Sequence, residues 1–438
     1  MKSVVRKIGP LLSLAAVLVL VFGLFIYFRD TRGPQVRLTG AQGYISTKPL
    51  GIELSDEGSG LRSVVVSITQ GNIAKELLNK TFDSGLTSAL ETIEIKEPFL
   101  RDGPVELRVR ATDQAIFPFG AGNVTDQVFT LTYDGTPPRV TVQSTTHNIN
   151  QGGTGLIVYT VSEDVQKTGI EVGEYFFPGF RQPSGEYVAL FAFPHHLTTA
   201  EFTPRLVAVD LAGNEGRGGF SFHANARRFR QDSINVSDNF LARVMPQFER
   251  DYPDAPSLLD VFLRVNSEMR AQNVAAIREM GRDTLAEPLW RGDFLRMGSA
   301  ANMAQYADRR SYMYQGQKID EATHMGVDLA SVQQAPIRAG NHGRVIFADF
   351  LGIYGNCVIL DHGLGLQSIY AHLTRIDVQV GDSVQKGDLL GTSGATGMAG
   401  GDHLHFEMTV SGVSVNPIEW WDPQWLRNNI TSKFPTVQ

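Results

Sequence analysis

The sequence has very little cysteine and no excess of positive charge. Cys357 is the only cysteine among 438 residues, which excludes an internal disulfide and any zinc or iron–sulfur site built from several thiolates. The 39 lysines and arginines are outnumbered by 46 acidic residues, so the formal net charge is -7. Proteins that bind nucleic acid through its phosphates carry basic surfaces, and we therefore expect no nucleic-acid partner. The His-Glu-x-x-His pattern of helical zinc peptidases is also absent from the sequence.

The chain is long enough for several folded domains and is rich in glycine. At roughly 150 residues per domain, its length corresponds to about three globular units. Hydrophobic residues make up 42% and charged residues 19% of the sequence, which favours a folded chain with a sizeable core over disorder. The 44 glycines exceed the usual share of about 7% and indicate many tight turns. We therefore expect a multidomain, mainly β protein.

An uncharged, apolar stretch near the N-terminus predicts a membrane anchor. Residues 8–28 follow Lys2, Arg6 and Lys7, and as a helix they would rise about 30 Å, the thickness of a bilayer's hydrocarbon core. A cleaved signal peptide is the alternative, but its small-x-small cleavage site is missing here. The positive-inside rule keeps the N-terminus in the cytoplasm. We therefore expect a single-pass protein of the cytoplasmic (inner) membrane, with the rest of the chain exported to the periplasmic or cell-wall side.

The segment from about residue 35 to residue 223 is predicted to form β modules. Short runs such as residues 64–68 and 105–109 are rich in β-branched residues and lie between turn residues, which is typical of antiparallel sandwiches. A strand that ends in Asp and leads to an Ala-Gly-Asn turn occurs twice, within residues 110–123 and 207–214. This repeat resembles bacterial immunoglobulin-like modules. A passive spacer and a partner-binding module both remain open.

A helix is predicted over residues 257–280. Ser257 followed by Asp260 is a capping signal, and apolar residues then recur at helical spacing, namely Leu258, Phe262, Val265 and Met269. We expect this apolar stripe to pack against a neighbouring domain. A regulatory role, such as shielding a catalytic groove, is also open.

The histidines are concentrated near the C-terminal end of the chain. Six of the ten lie between His324 and His405, where even spreading would place about two. Residues 403–408 alternate polar and apolar side chains, so that a strand would place His403, His405 and Glu407 on one face. Two imidazoles would then project together from a strand that is anchored by its other face.

A second pair, His324 and Asp328, lies upstream. Gly326 and the β-branched Val327 between them favour a loop that enters a strand over a helix. Such a pair with one further histidine would supply three ligands to a tetrahedral zinc ion and leave the fourth position open for water, as in catalytic sites. Zinc suits nitrogen and carboxylate ligands, whereas manganese or magnesium would require more oxygen ligands.

Several motifs follow one another in order between about residues 290 and 420. They are Thr-His-Met-Gly-Val-Asp at 323–328, Tyr-Gly-Asn at 354–356, Leu-Asp-His-Gly at 360–363, Tyr-Ala-His-Leu at 370–373, Val-Gly-Asp-Ser-Val at 380–384, Gly-Asp at 387–388, Gly-Thr-Ser-Gly at 391–394 and His-Leu-His-Phe-Glu at 403–407. Together they resemble the lysostaphin-type (LytM-like) zinc metallopeptidases, which cut peptidoglycan peptides.

The resemblance implies a role for each matching residue. It implies that His324, Asp328 and His405 bind one Zn²⁺, and that His372 and His403 are catalytic histidines beside the metal. A histidine can take a proton from the attacking water and return it to the leaving amine, and another can hydrogen-bond the oxyanion. The sequence leaves open which of the two histidines does which.

Two further interpretations of this region remain open. A non-hydrolytic relative that binds and activates another cell-wall hydrolase is the alternative to an enzyme, although all five matching positions carry the expected residues. Arg309 and Arg310 precede the first predicted ligand, where they could contact anionic stem peptides or simply face solvent. Peptidoglycan peptides are the expected substrate, and other cell-envelope proteins are candidate partners.

The predicted architecture is a transmembrane helix, two immunoglobulin-like β-sandwich modules, a short helical segment and a C-terminal antiparallel β-sheet metallopeptidase domain with an open groove. The expected segments are residues 1–34 (cytoplasmic tip and anchor), 35–138 (first β module), 139–230 (second β module), 231–289 (helical linker) and 290–438 (zinc metallopeptidase domain). This order would hold a catalytic domain away from the bilayer, where wall polymer lies.

Overall fold

The computed structural model describes residues 2–41 and 43–434, without the side chains of residues 2–12. It divides into two compact units. The first comprises residues 1–138, 164–166 and 209–215, and the second comprises residues 139–163, 167–208 and 216–438. The structure is mainly β, as expected. The division into five segments stays a prediction.

The N-terminal helix α1 spans Lys2–Tyr27. Across the part of the chain whose side chains are described, no helix is both long enough and apolar enough to cross a membrane. The first residues of the predicted span 8–28 lie outside that part. The predicted transmembrane anchor is therefore not confirmed.

The first unit contains two β-sheets that enclose one core. Their strands pair in the orders β1-β3-β6 and β2-β8-β7-β4-β5. In the longest strand, alternate side chains such as Val105, Leu107 and Val109 are buried, because a strand directs successive residues to opposite faces. The strands are β1 (Gln35–Thr39), β2 (Tyr44–Ile45), β3 (Leu50–Ser55), β4 (Leu61–Gln70), β5 (Ile73–Thr81), β6 (Ser88–Ile93), β7 (Gly103–Asp113) and β8 (Val124–Tyr133).

The repeated Ala-Gly-Asn turn has the same hydrogen bonds in both copies. The carboxylate of Asp113 accepts from the backbone N–H of Asn123 at 2.6 Å and from its side-chain amide at 2.7 Å. Asp210 accepts from Asn214 in the same way, at 2.8 and 2.9 Å. The glycine before each asparagine has a positive φ, which explains its presence in the turn. The immunoglobulin-like identity of the modules is not confirmed.

Residues 140–225 form ten further strands. One sheet has the order β14-β15-β11-β9 and another the order β13-β12-β16-β17, while β10 pairs with β18. The strands are β9 (Val140–Val142), β10 (His147–Asn150), β11 (Thr154–Val161), β12 (Val165–Val172), β13 (Tyr175–Pro178), β14 (Phe180–Arg181), β15 (Tyr187–Ala192), β16 (Arg205–Asp210), β17 (Glu215–Gly218) and β18 (Phe222–Asn225).

A helical segment follows strand β19 (Gln231–Asn235). It contains α2 (Asp238–Val244), α3 (Leu258–Arg264) and α4 (Arg270–Met280), with a π-helical turn at Val265–Met269 between the last two. The Ser257 hydroxyl accepts a hydrogen bond from the backbone N–H of Asp260. This cap confirms the predicted start of the helix.

The C-terminal region is built on an eight-stranded antiparallel sheet. Its order is β20-β23-β31-β27-β26-β25-β29, and β32 also pairs with β31. Two smaller sheets of the region have the orders β19-β21-β22 and β24-β30-β28. The strands of the region are β20 (Ala301–Ala304), β21 (Arg309–Tyr314), β22 (Gln317–Thr323), β23 (Val327–Ala330), β24 (Pro336–Arg338), β25 (Gly343–Phe350), β26 (Asn356–Asp361), β27 (Leu366–Leu373), β28 (Arg375–Ile376), β29 (Ser383–Val384), β30 (Leu389–Thr392), β31 (Leu404–Val410) and β32 (Val413–Val415), followed by helices α5 (Pro417–Trp421) and α6 (Pro423–Asn429).

The helical segment packs onto one face of this sheet. Phe262, Val265 and Met269 share a buried cluster with Ile359 and Ile369 of β26 and β27. The predicted apolar stripe therefore covers the sheet, as expected for a helix that packs against a neighbouring domain.

Candidate metal centre and active site

Three neighbouring strands bring the predicted ligands together. Asp328 lies on β23 directly opposite His405 on β31, and Ala371 of β27 lies opposite His405 on its other side. His324 lies in the loop that enters β23, as the glycine before this strand predicts. The pairing register of the strands thus brings residues that are far apart in the sequence to one patch of the sheet.

The donor atoms of the three predicted ligands converge. His324 Nε2 lies 2.8 Å from Asp328 Oδ1 and 3.0 Å from His405 Nδ1, and that Nδ1 lies 3.0 Å from the same carboxylate oxygen. All three residues are buried. They form the one cluster of the C-terminal region, within the described residues, in which histidine and carboxylate atoms could hold a metal ion together.

The far side of each imidazole faces a hydrogen-bond acceptor. His324 Nδ1 lies 3.0 Å from the backbone carbonyl of Gln305, and His405 Nε2 lies 3.3 Å from a carboxylate oxygen of Glu407. Because a carbonyl or carboxylate oxygen only accepts, both of these nitrogens donate an N–H. With a metal bound, His324 Nε2 and His405 Nδ1 would direct their lone pairs to the shared centre, as ligating histidines in proteins do.

This donor set fits zinc. Zinc takes nitrogen and carboxylate-oxygen ligands at about 2.0–2.2 Å in a tetrahedral arrangement, so neighbouring ligand atoms lie about 3.3 Å apart. The observed separations of 2.8–3.0 Å need to widen by only a few tenths of an ångström.

The charges of the three residues depend on one another. Burial opposes the charged form of Asp328, but the neighbouring His324, His403 and His405 hold the pKa of its carboxyl well below its usual range. Burial also opposes the cationic form of His405, yet its hydrogen bonds to Asp328 and Glu407 raise its pKa to about 9. Burial lowers the pKa of His324.

The two predicted catalytic histidines lie beside this centre. The rings of His372 and His403 are 4.8 Å apart, and the His372 ring is 5.9 Å from that of His405. His372 Nδ1 donates to the carbonyl of Thr396 at 2.9 Å, and His403 Nδ1 donates to the carbonyl of Gly401 at 2.8 Å. Each ring therefore keeps Nε2 as the nitrogen that can accept a proton.

His372 has an unusual backbone and environment. Its φ is +64°, a left-handed conformation that a non-glycine residue adopts only when the surrounding structure imposes it. Burial, followed by the nearby His403 and His405, lowers its pKa well below the usual value. His403 Nε2 lies 3.6 Å from Asp328 Oδ1, which places it at the edge of the centre.

A groove of about 410 Å³ passes over the five predicted residues. Its other lining comes partly from the helical segment, including Phe240 and Arg270, and partly from Met325, Tyr354 and Met398. Arg243 donates to the carbonyl of Gly400 at 2.6 Å, and so the helices also support the glycine-rich segment of residues 391–402 at the rim of the groove.

Sequence reasoning assigned no role to Glu407 or Tyr354. Glu407 is 1% exposed and accepts from His405, from the Tyr354 hydroxyl at 2.9 Å and from the Ser414 hydroxyl. The alternation of polar and apolar residues at 403–408 placed Glu407 on the same strand face as His405. That pattern could have identified Glu407 as part of the site.

Comparison with known proteins agrees with the resemblance seen in the sequence. Residues 322–417 match the model of Peptidase family M23. The DD-carboxypeptidase/endopeptidase Mpg of Neisseria meningitidis is 39% identical over 95 residues, which are 22% of this chain and 22% of Mpg. The murein hydrolase activator EnvC of Escherichia coli is 33% identical over 109 residues, 25% of this chain and 26% of EnvC. The match thus spans about a fifth to a quarter of the length of these relatives.

Among solved structures, the catalytic domain of the antimicrobial peptidase lysostaphin from Staphylococcus simulans is similar to the same region. It is 28% identical, with a TM-score of 0.25, and the alignment covers 28% of this chain and 92% of that domain.

Proposed function

Because residues 322–417 form a peptidase family M23 domain, we propose that the chain is a zinc-dependent endopeptidase of peptidoglycan. It would hydrolyse peptide bonds in stem peptides or crosslinks. The observation that carries the proposal is the convergence of ligand atoms from His324, Asp328 and His405 on one point, beside two further histidines. When bound there, Zn²⁺ would supply a Lewis acid that polarises the scissile carbonyl and acidifies the attacking water.

The remaining chemistry belongs to side chains of the groove. His372 is held by the Thr396 carbonyl at Nδ1, so its Nε2 can take a proton from the water and return one to the leaving amine. His403 is held in the same way by Gly401, and once its Nε2 is protonated it can donate a hydrogen bond to the oxyanion of the tetrahedral intermediate. The two histidines can also exchange or share these tasks.

A second candidate is a non-hydrolytic activator of another wall hydrolase. It is favoured by the similarity to EnvC, a murein hydrolase activator. Against it stand the complete donor set and the two adjacent histidines, since a protein that acts only by binding has no need of them. The endopeptidase is therefore the preferred proposal.

The test uses the purified full chain with isolated wall sacculi. We expect about one zinc per chain and release of wall peptides. His405→Ala is expected to lose both zinc and hydrolysis, whereas His372→Ala is expected to keep zinc and lose hydrolysis. A zinc-loaded protein that leaves sacculi intact, but stimulates a separate wall hydrolase, would favour the activator.

Export and anchoring remain predictions from the sequence. Their support is the basic N-terminus and the apolar residues 8–28, in which described side chains such as Leu18 and Val19 are 59% and 72% exposed. Membrane fractionation followed by protease treatment of intact and permeabilised cells tests the prediction. The exported topology requires that the catalytic region be cut while the cytoplasmic membrane still protects a cytoplasmic marker protein.

A further inference from the structure

Two adjacent arginines on β21 have different environments. Arg309 is exposed, while the side chain of Arg310 is 18% exposed and lines the groove with the predicted active-site residues. The difference follows from the alternation of side chains along a strand. Arg310 therefore faces the candidate metal centre, and Arg309 provides a matched control beside it.

Arg310 is bound to the candidate metal centre through one carboxylate. Its Nη2 donates to Asp328 Oδ2 at 2.9 Å, while Asp328 Oδ1 lies among the histidine donor atoms. The guanidinium is thus one carboxylate away from the position where the scissile bond would lie.

Part of the guanidinium has no partner. Arg310 Nε is buried, and no atom of the described residues accepts its hydrogen. A buried donor without an acceptor is costly, and a ligand oxygen that reached Nε would remove that cost. A guanidinium presents its N–H groups in a fork that matches a carboxylate.

The other charged side chains that line the groove do not oppose the binding of an anion beside Arg310. Arg270 lines it from the helical segment and bonds the side-chain oxygen of Asn266. Asp232 also lines it, but its carboxylate already accepts from Arg230 at 3.0 Å.

We propose that Arg310 is a specificity-determining residue that binds a free carboxylate on the carbon carrying the leaving amine. The inference rests on the proposed peptidase function. In the substrate, the carboxyl group of the residue on the acyl side forms the scissile amide bond and is therefore not free. A free carboxylate close enough to bind Arg310 must then belong to the residue that carries the leaving amine. An amide between D-alanine and diaminopimelate has this arrangement, whereas an internal glycine–glycine bond has none.

The experiment compares two crosslinked muropeptide dimers that differ at one group. In one, the diaminopimelate carbon at the scissile nitrogen carries a free carboxylate, and in the other it carries a primary amide. We expect the wild-type full chain to favour the acid by about 10- to 100-fold in kcat/KM, the range for a hydrogen bond to a charged group. Arg310→Gln is expected to abolish this preference, and Arg309→Gln to retain it.

Because Arg310 also holds Asp328, the variants are assayed for zinc content and for binding without turnover. Calorimetry measures binding of the diaminopimelate tripeptide product, as free acid or as amide, to each protein. Arg310→Lys keeps a cation beside Asp328 but lacks the fork, so we expect it to retain zinc and to lose most of the preference.

Two results would overturn the assignment: equal handling of acid and amide by the wild type, or a preference that survives Arg310→Gln. If the wild type cleaves neither dimer, the proposed function fails, while the difference in product binding still tests Arg310.

Discussion

At the scale of single residues, the candidate metal centre depends on the groups behind its ligands. His405 can present Nδ1 to a metal only if its proton resides on Nε2, and Glu407 accepts that proton's hydrogen bond. Tyr354 and Ser414 in turn hold the Glu407 carboxylate. Such outer partners orient the ring and raise the basicity of the ligand.

Replacing Glu407 therefore tests the metal site without touching a ligand. We expect Glu407→Ala to weaken zinc binding by about 10- to 100-fold, the usual cost of losing an outer partner. Glu407→Gln keeps an acceptor oxygen for His405 but not the charge, and its effect should be smaller. Competition with a chromogenic zinc chelator measures both.

The exposed Glu287 offers a control, since Glu287→Ala removes a carboxylate of the same region that does not line the groove. Equal zinc affinity in the wild type and Glu407→Ala would contradict the assigned role.

The sequence predicted this site only in part. The alternation of polar and apolar residues at 403–408 placed His403, His405 and Glu407 on one face. This inference was possible because it requires only the geometry of a strand. Which nitrogen of each ring faces the centre depends on acceptors such as the Gln305 carbonyl, which lies in a different loop. That information comes from tertiary contacts and has no local signature.

At the scale of elements, two loops meet where His372 is held. The backbone of residues 353–355 touches that of residues 396–397, so a Cβ on Gly397 would lie 2.3 Å from Gly355 N and 2.6 Å from Ile353 O. Gly397 also has a φ of +67°, which favours glycine. The neighbouring Thr396 carbonyl holds His372 Nδ1.

Gly397→Ala is expected to push the loops apart and to displace that carbonyl. We expect wall hydrolysis to fall by at least about tenfold, since small displacements of catalytic groups can cost up to about 100-fold. Zinc content should be unchanged because His372 is not among the predicted ligands.

Gly400→Ala is the matched control, because a Cβ there meets nothing within 4 Å. Comparable loss of hydrolysis in both variants, at equal zinc content, would mean that loop contact does not position His372.

The helical segment could be predicted from local sequence, but its position in the fold could not. The Ser257 cap and the apolar spacing predicted the helix, because both are encoded within a few residues. Its position over β26 and β27, and the hydrogen bond from Arg243 to Gly400, depend on contacts between distant parts of the chain. The expected linker thus contributes a wall of the groove, as Phe240 and Arg270 show.

At the scale of the second compact unit, the strands of residues 140–225 and the C-terminal sheet share one hydrophobic core. Glu419 of α5 lies at their junction and is 5% exposed. Its carboxylate accepts from Asn150 at 2.7 Å and from the backbone N–H of Thr154 at 3.0 Å. Composition and periodicity gave no indication of this contact, because a lone Glu in a short helix normally faces solvent.

Burial raises the pKa of Glu419 to about 7, although the bonds from Asn150 and Thr154 oppose the rise. The ordinary value is 4.5, so between pH 4.5 and pH 7 the folded state binds more protons than the unfolded state. Linkage then requires that this group's contribution to stability, fully present below pH 4.5, be lost as pH rises through 7. At 1.36 kcal/mol per pKa unit, the change amounts to about 3 kcal/mol.

Glu419→Gln removes this titration and keeps a similar shape. We expect the variant to gain stability relative to the wild type as pH rises from 5 to 8, by about 2.5 kcal/mol, in urea unfolding followed by tryptophan fluorescence. The difference between the two proteins isolates Glu419 from buried histidines such as His195 and His362, whose depressed pKa values near 4 give the opposite dependence. Glu249→Gln, at an exposed position, should show no such trend, and a pH-independent difference for Glu419→Gln would contradict the assignment of a protonated carboxyl at the junction.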